Sequence, residues 1–205
     1  CISIKQPTMK KILFTLALLI SFNSFGQSNA ILQSEFIEKE LKKDFDLYTL
    51  HMNNRDFESA MDFIIPELFS LMTKEQMIKT FEDAFAGGLE MEILNYNDIS
   101  ISEVVKFEGK DYCKVQSSSD FYMKISGNYL TNIETIKTNF DLSFGKRSDS
   151  FVYNESDNTF YGKGFIENRI AVSVSGTNDW KFIAIDNFDE TVLAMIIPEQ
   201  VLNKL

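Results

Sequence analysis

The sequence is poor in the residues from which many catalytic and metal centres are built, with one histidine, two cysteines and three prolines in 205 positions. Cys1 lies upstream of an apolar leader, so the remainder of the chain keeps only Cys113 and cannot close an internal disulfide. His51 and Cys113 cannot assemble a zinc site of the usual kind. No Ser-centred nucleophile elbow occurs. The Gly87-Gly88 pair lacks the pattern of a phosphate-binding loop and reads as a helix stop. Asp186, Asp189 and Glu190 form an acidic group, but without the spacing of a calcium loop. Neither a metal nor any other cofactor is implied.

Positive charge is also scarce. Residues 1–26 contain Lys5, Lys10 and Lys11 and no acid, so residues 27–205 hold 17 Lys and Arg against 30 Asp and Glu, a net charge of −13. With no basic cluster to neutralise phosphates, nucleic acid and anionic membrane surfaces are poor partners. Acidity of this size favours solubility. No Pro/Gly-rich linker, repeat or low-complexity tract divides residues 27–205, which implies one domain.

The N-terminal segment is read as a secretory signal. Met9-Lys10-Lys11 opens it, an apolar run follows from Ile12 to Phe22, and Ser24 and Gly26 provide the small residues at −3 and −1 of a cleavage site. Cys1 to Thr8 read as an upstream extension. The run falls short of the roughly 20 residues of a membrane span, and no cysteine follows it to carry a lipid anchor. The expected location is periplasmic or extracellular.

Downstream, Leu41, Phe45 and Tyr48 continue an apolar stripe that begins at Ile31 and marks a long amphipathic helix ending at Asn53-Asn54-Arg55. Asp56 is the expected N-cap of the next helix. Thr73 and Gln76 form a capping box ahead of Met77, Phe81 and Phe85. After Gly88 the period changes to two. Met91, Ile93, Ile99 and Ile101 share one face of a strand, and Cys113, Val115, Ser117, Ser119, Phe121, Met123 and Ile125 share one face of another. Ile133, Ile136, Phe140 and Phe144 fit a short helix. Two hairpins follow, turning at residues 155–158 and 176–179, the second running into a strand from Trp180 to Ile185. The stretch from Val192 to Ile197 reads helical, with one more turn after Pro198. Helices followed by a meandering antiparallel sheet make an α+β domain, and Val192, Ile196 and Leu202 are candidates to cover the sheet's second face.

The long first helix, the Asn54-Arg55-Asp56-Phe57-Glu58 break, the run from Pro66 to Met77, the Gly-ended helix and the closing Asp179-Trp180-Lys181-Phe182 strand resemble the nuclear transport factor 2-like superfamily, and in particular its small exported bacterial members. The resemblance implies a cone in which a curved antiparallel sheet wraps a helix around a pocket, with the terminal helical segment as an addition. It also implies that catalytic members use Asp, Tyr or His in that pocket, while others fill it or use it for interaction.

Candidate pocket residues are those that break an expected pattern. Ser117 and Ser119 interrupt an apolar row, and a buried hydroxyl left unpaired costs roughly 1–3 kcal/mol, so their site must be wet or bonded. Asn95 and Asn97 interrupt the neighbouring strand in the same way and lie beside the serines if the strands pair. The competing reading is a β-bulge that turns them outward. Tyr48, His51 and Trp180 complete the set. A catalytic His51 would need an orienting acid, for which Asp44 and Asp62 are the candidates; the plainer reading is a structural histidine near a helix end. Three functions stay open: a non-enzymatic domain holding a small or apolar ligand, a protein-interaction domain with a packed cone, and a metal-independent acid–base enzyme. The processing expectation is checked by N-terminal mass analysis of exported protein, which should begin at Gln27; material retaining Met9 contradicts it.

Overall fold

The computed structural model describes residues 35–186 and 188–205, with the side chains of residues 96–98 outside the description. The segment read above as a secretory signal and the first residues of the apolar stripe lie outside the described residues. The compact unit considered below runs from Glu40 to Leu205.

Helix α1 covers residues 35–53. Its termination is chemical as well as conformational. The Asn53 side chain donates to the Ile93 carbonyl at 2.9 Å and accepts from the Ile93 amide at 3.0 Å, so one asparagine replaces a strand partner on the sheet edge. Arg55 then takes a left-handed φ of 60°, and Asp56 caps α2 (Phe57–Ala60) by accepting from the Ser59 amide. Pro66 opens the 3-10 turn Pro66–Ser70, where its missing N–H costs nothing. The expected capping box at Thr73 and Gln76 is complete in both directions and starts α3 (Lys74–Ala86).

Six strands follow: β1 (Leu89–Ile101), β2 (Val105–Phe107), β3 (Lys110–Ile125), β4 (Ser150–Asn154), β5 (Thr159–Val174) and β6 (Lys181–Ala184). All pairs are antiparallel. The long strands β3 and β5 form the spine. β1 and β2 flank successive parts of β3, while β4 and β6 flank successive parts of β5. The sequence pattern predicts two separate hairpins and contains no signal for β2. Residues 159–174 instead form one continuous strand shared by both hairpins, and Trp180 stands just before β6. Register shifts in the β1–β3 and β3–β5 pairs bend the sheet.

Both faces of the sheet are covered, at different ends. On the inner face, α1 packs over the β6 end, with Phe45 stacked on Phe182 at 4.1 Å. Helix α4 (Ile133–Phe144) covers the β4 end, placing Ile133, Ile136, Phe140 and Phe144 against Phe121, Met123, Ile125, Phe160 and Phe165. On the outer face, the short helices α5 (Glu190–Ala194) and α6 (Glu199–Leu202) close a core of Tyr112, Ile170, Val172 and Ile183 with Ile196, Ile197 and Val201. Val192 and Leu202 pack against that core, half-buried. Arg169 to Ser173 are accordingly buried at every position. Cys113 is fully buried, and burial pushes its thiol up to about 12, so it is an inert core residue.

Asp44 on α1 is buried and accepts from the Trp180 backbone amide at 3.1 Å, joining the helix to the start of β6. Burial raises its carboxyl pKa above the ordinary carboxylate value, despite the opposing Trp180 hydrogen bond and Lys43. A raised folded-state pKa contributes stability below the unfolded value, and that contribution is lost as pH rises through the folded value. At neutral pH, above the ordinary aspartate value, this carboxyl therefore works against folding. Asp44→Asn keeps an acceptor for Trp180 without the charge, so it should melt higher than wild type at pH 7, with the gap narrowing near pH 4, about the ordinary aspartate value. Melting curves of both proteins at the two pH values check this; a lower-melting variant at pH 7 contradicts it.

Candidate functional site

The polar residues of the inner face meet beneath α1. In the β3–β5 register Ser117 stands opposite Glu167, and Val115 opposite Arg169. Arg169 is 7% exposed. One terminal nitrogen donates to Ser117 Oγ at 2.7 Å, and the other is ion-paired with Glu167. The guanidinium lies over the Phe45 ring, 4.9 Å from its centroid. A cleft of about 70 Å³ opens beside this group, lined by Phe45, Tyr48, Ile64, Phe182 and Ala184 together with the Arg169–Glu167 pair.

Each lining residue has a local cause. Phe45 and Tyr48 are on the inward stripe of α1. Ile64 is held by a parallel bridge to Phe182. Ala184 pairs with Arg169 across β5 and β6, and its small side chain leaves room over the guanidinium. The site therefore offers a fixed cation, its counter-carboxylate and flat apolar walls in one place.

The sequence candidates are distributed unevenly around it. Ser117 and Tyr48 belong to the site: Ser117 is buried and bonded to Arg169, and Tyr48 lines the cleft. Ser119 sits two residues further along β3, half-buried opposite Phe165 and the β1 backbone at residue 96. A register shift after Ile93 turns Asn95 away from the inner face. It is exposed opposite Asp120, to whose carboxylate its amide donates at 3.3 Å. Asn97 lies in β1, but its side chain falls outside the described residues. His51 is half-buried and paired with Asp56 at 2.9 Å; neither Asp44 nor Asp62 orients it. Trp180 is 2% exposed, and its indole nitrogen meets no hydrogen-bond partner among the described residues. Asp44 serves its backbone instead.

Arg169 and Glu167 are not among the residues that the sequence pattern singles out. Reading the period of two through the whole of residues 165–171 would have grouped them with Phe165 and Ala171 on one face. Among the described residues no three His, Cys, Asp or Glu side chains converge as metal ligands. Of the acidic group considered above, Asp186 accepts from Arg147 at 2.8 Å and from the Asn168 amide at 2.9 Å, and Asp189 caps α5. Burial opposes the Asp186 charge, but these donors outweigh it and hold its pKa below the usual value. A larger groove of about 590 Å³ runs along α5 and α6 beside Lys114, but the charged groups Lys114, Glu190 and Glu199 are solvent-exposed.

Ser117→Val removes the acceptor from a buried, charged donor, which should destabilise the protein by about 1–3 kcal/mol, whereas Ser117→Thr keeps a hydroxyl and should lose less. Urea unfolding of both variants measures this. A neutral or stabilising Val variant contradicts the role assigned to the Ser117–Arg169 bond.

No protein-family model matches the sequence, and no curated protein matches it. Among solved structures the chain is similar to a Streptomyces avermitilis protein of the nuclear transport factor 2-like family whose proposed activity is that of a dehydratase. The identity is 9% and the TM-score 0.40, over 73% of this chain and 93% of that one. The α+β architecture itself stands on the strand order and packing described above.

Proposed function

We propose that the protein is an exported, non-enzymatic binding domain that takes a small ligand, or the polar head of a larger one, in the cleft beneath α1. The cone resemblance of the sequence and the proposed export belong to the same reading. The observation that carries it is the Arg169–Glu167 pair at the wall of that cleft. A structural ion pair of this kind is weak support for stability, because desolvation offsets much of its attraction. Placed against an open space with aromatic walls, it has the composition of a recognition site: apolar lining with a few fixed polar groups. Binding is favoured over turnover because the cleft's acid and base neutralise each other, and His51, the sole histidine, is engaged with Asp56.

The test fills the cleft without disturbing its charges. Ala184→Leu adds apolar volume at the half-buried residue opposite Arg169. Native mass spectrometry of gently purified protein should show a bound small molecule in wild type and its loss in Ala184→Leu, with a melting temperature equal to or above that of wild type. Absence of a bound molecule from both forms, or its retention by the variant, overturns this reading in favour of an interaction domain with a packed core.

A further inference from the structure

Resting on the binding reading above, we infer that the cleft recognises a neutral, planar group presenting a hydrogen-bond acceptor and donor side by side, as on the edge of a carboxamide or lactam. Arg169 and Glu167 are two residues apart on β5, on the same face, and both line the cleft. An anion entering it gains Arg169 but is repelled by Glu167, and a cation meets the reverse. Either must also separate the existing pair. A carbonyl beside an N–H needs neither step: the carbonyl accepts from the guanidinium, the N–H donates to the carboxylate, and the site stays neutral.

The surroundings restrict the group further. Ser117 and the Phe45 ring hold the guanidinium from two directions, so it cannot swing out to follow a charged ligand into solvent. Phe45 and Phe182 are stacked, with an interplanar angle of 18°, and with Tyr48 they give the cleft flat aromatic walls. The volume of about 70 Å³ is well below the roughly 300–1,000 Å³ of sites that enclose whole drug-sized ligands. Only a head group enters. Glu167 sets the selectivity, because it is the group that rejects carboxylates.

Benzamide, benzoate and benzamidine share one ring and differ in the charge of the head group, so they serve as probes. Titrations of the purified protein, followed by the NMR methyl signals of Ile64 and Ala184, should give benzamide a dissociation constant at least about tenfold below those of benzoate and benzamidine. Glu167→Gln should then strengthen benzoate binding by about tenfold relative to benzamide. This part-exposed position is the safer variant, since Arg169→Met risks the fold. Tighter binding of benzoate or benzamidine than of benzamide, or a Glu167→Gln variant that leaves the order unchanged, overturns the inference. So does a co-purified ligand that is lost in Ala184→Leu yet carries no such edge, in which case the binding reading survives. That reading falls only with the Ala184→Leu experiment itself.

Discussion

Removing a guanidinium from water costs several kcal/mol even after the protein around it relaxes, so the burial of Arg169 constrains whatever packs against it. Its terminal nitrogens need acceptors, which Ser117 and Glu167 provide from the facing strand and from its own. Its flat face needs a flat neighbour, which Phe45 provides from α1. Ala184, opposite Arg169 on the adjoining strand, leaves the remaining side of the group open to the cleft. Three separate stretches of chain are thus selected for chemistry by one side chain. The apolar core alone would accept several alternatives at each of these positions.

Arg169 faces inward because of a change of register well before it. Phe160 and Gly162 are on the inner face, opposite Met123 and Phe121. If strict alternation continued, residues 164, 166 and 168 would follow them. A register shift opposite Ser119 and Phe121 passes the inward parity to Phe165, Glu167, Arg169 and Ala171. Gly164 carries that shift at a φ of +61°, its amide bound to Asp120 and the Asp149 carboxylate occupying the space a Cβ would take. Gly162 is needed for contact instead: a Cβ there would come within 2.4 Å of the Phe121 ring. Gly164 and its two aspartate neighbours, none of them in the cleft, therefore decide which side chains reach it.

This also explains which parts of the molecule could be read in advance. The helix caps at Asp56 and Thr73, the stop at Gly87-Gly88, the apolar face of α4 and the cover supplied by Ile196 all follow from local rules, and the structure has each of them. Ser117 was legible because a hydroxyl in an apolar row demands a partner, although the row does not say which. Asn95 shows the limit of the same logic. Strict alternation places it beside the serines, but the register shift after Ile93 turns it outward, and no single-strand pattern reveals a shift that depends on the neighbour. Arg169 stayed hidden for a related reason. Ile170 to Val174 read as a strand of their own, and the inward alternation that begins at Phe165 reaches an arginine only when the two stretches are one strand.

The attachments of α1 determine how much the cleft can accept. Asp44 ties the helix to the Trp180 backbone, Phe45 is stacked on Phe182, and Asn53 is bound to both backbone groups of Ile93. Two of these contacts precede Tyr48 and one follows it, so α1 cannot lift from the sheet to admit a bulkier group without giving up a hydrogen bond or a stacked ring pair. Ile64 is the less constrained wall, lying between the 3-10 turns Met61–Phe63 and Pro66–Ser70 and joined to the sheet through a single bridge. A ligand larger than the cleft would therefore have to leave past Ile64 and Tyr48 with its head group still at Arg169 and Glu167. Selectivity then resides in the head group, and the remainder of the ligand is only loosely specified.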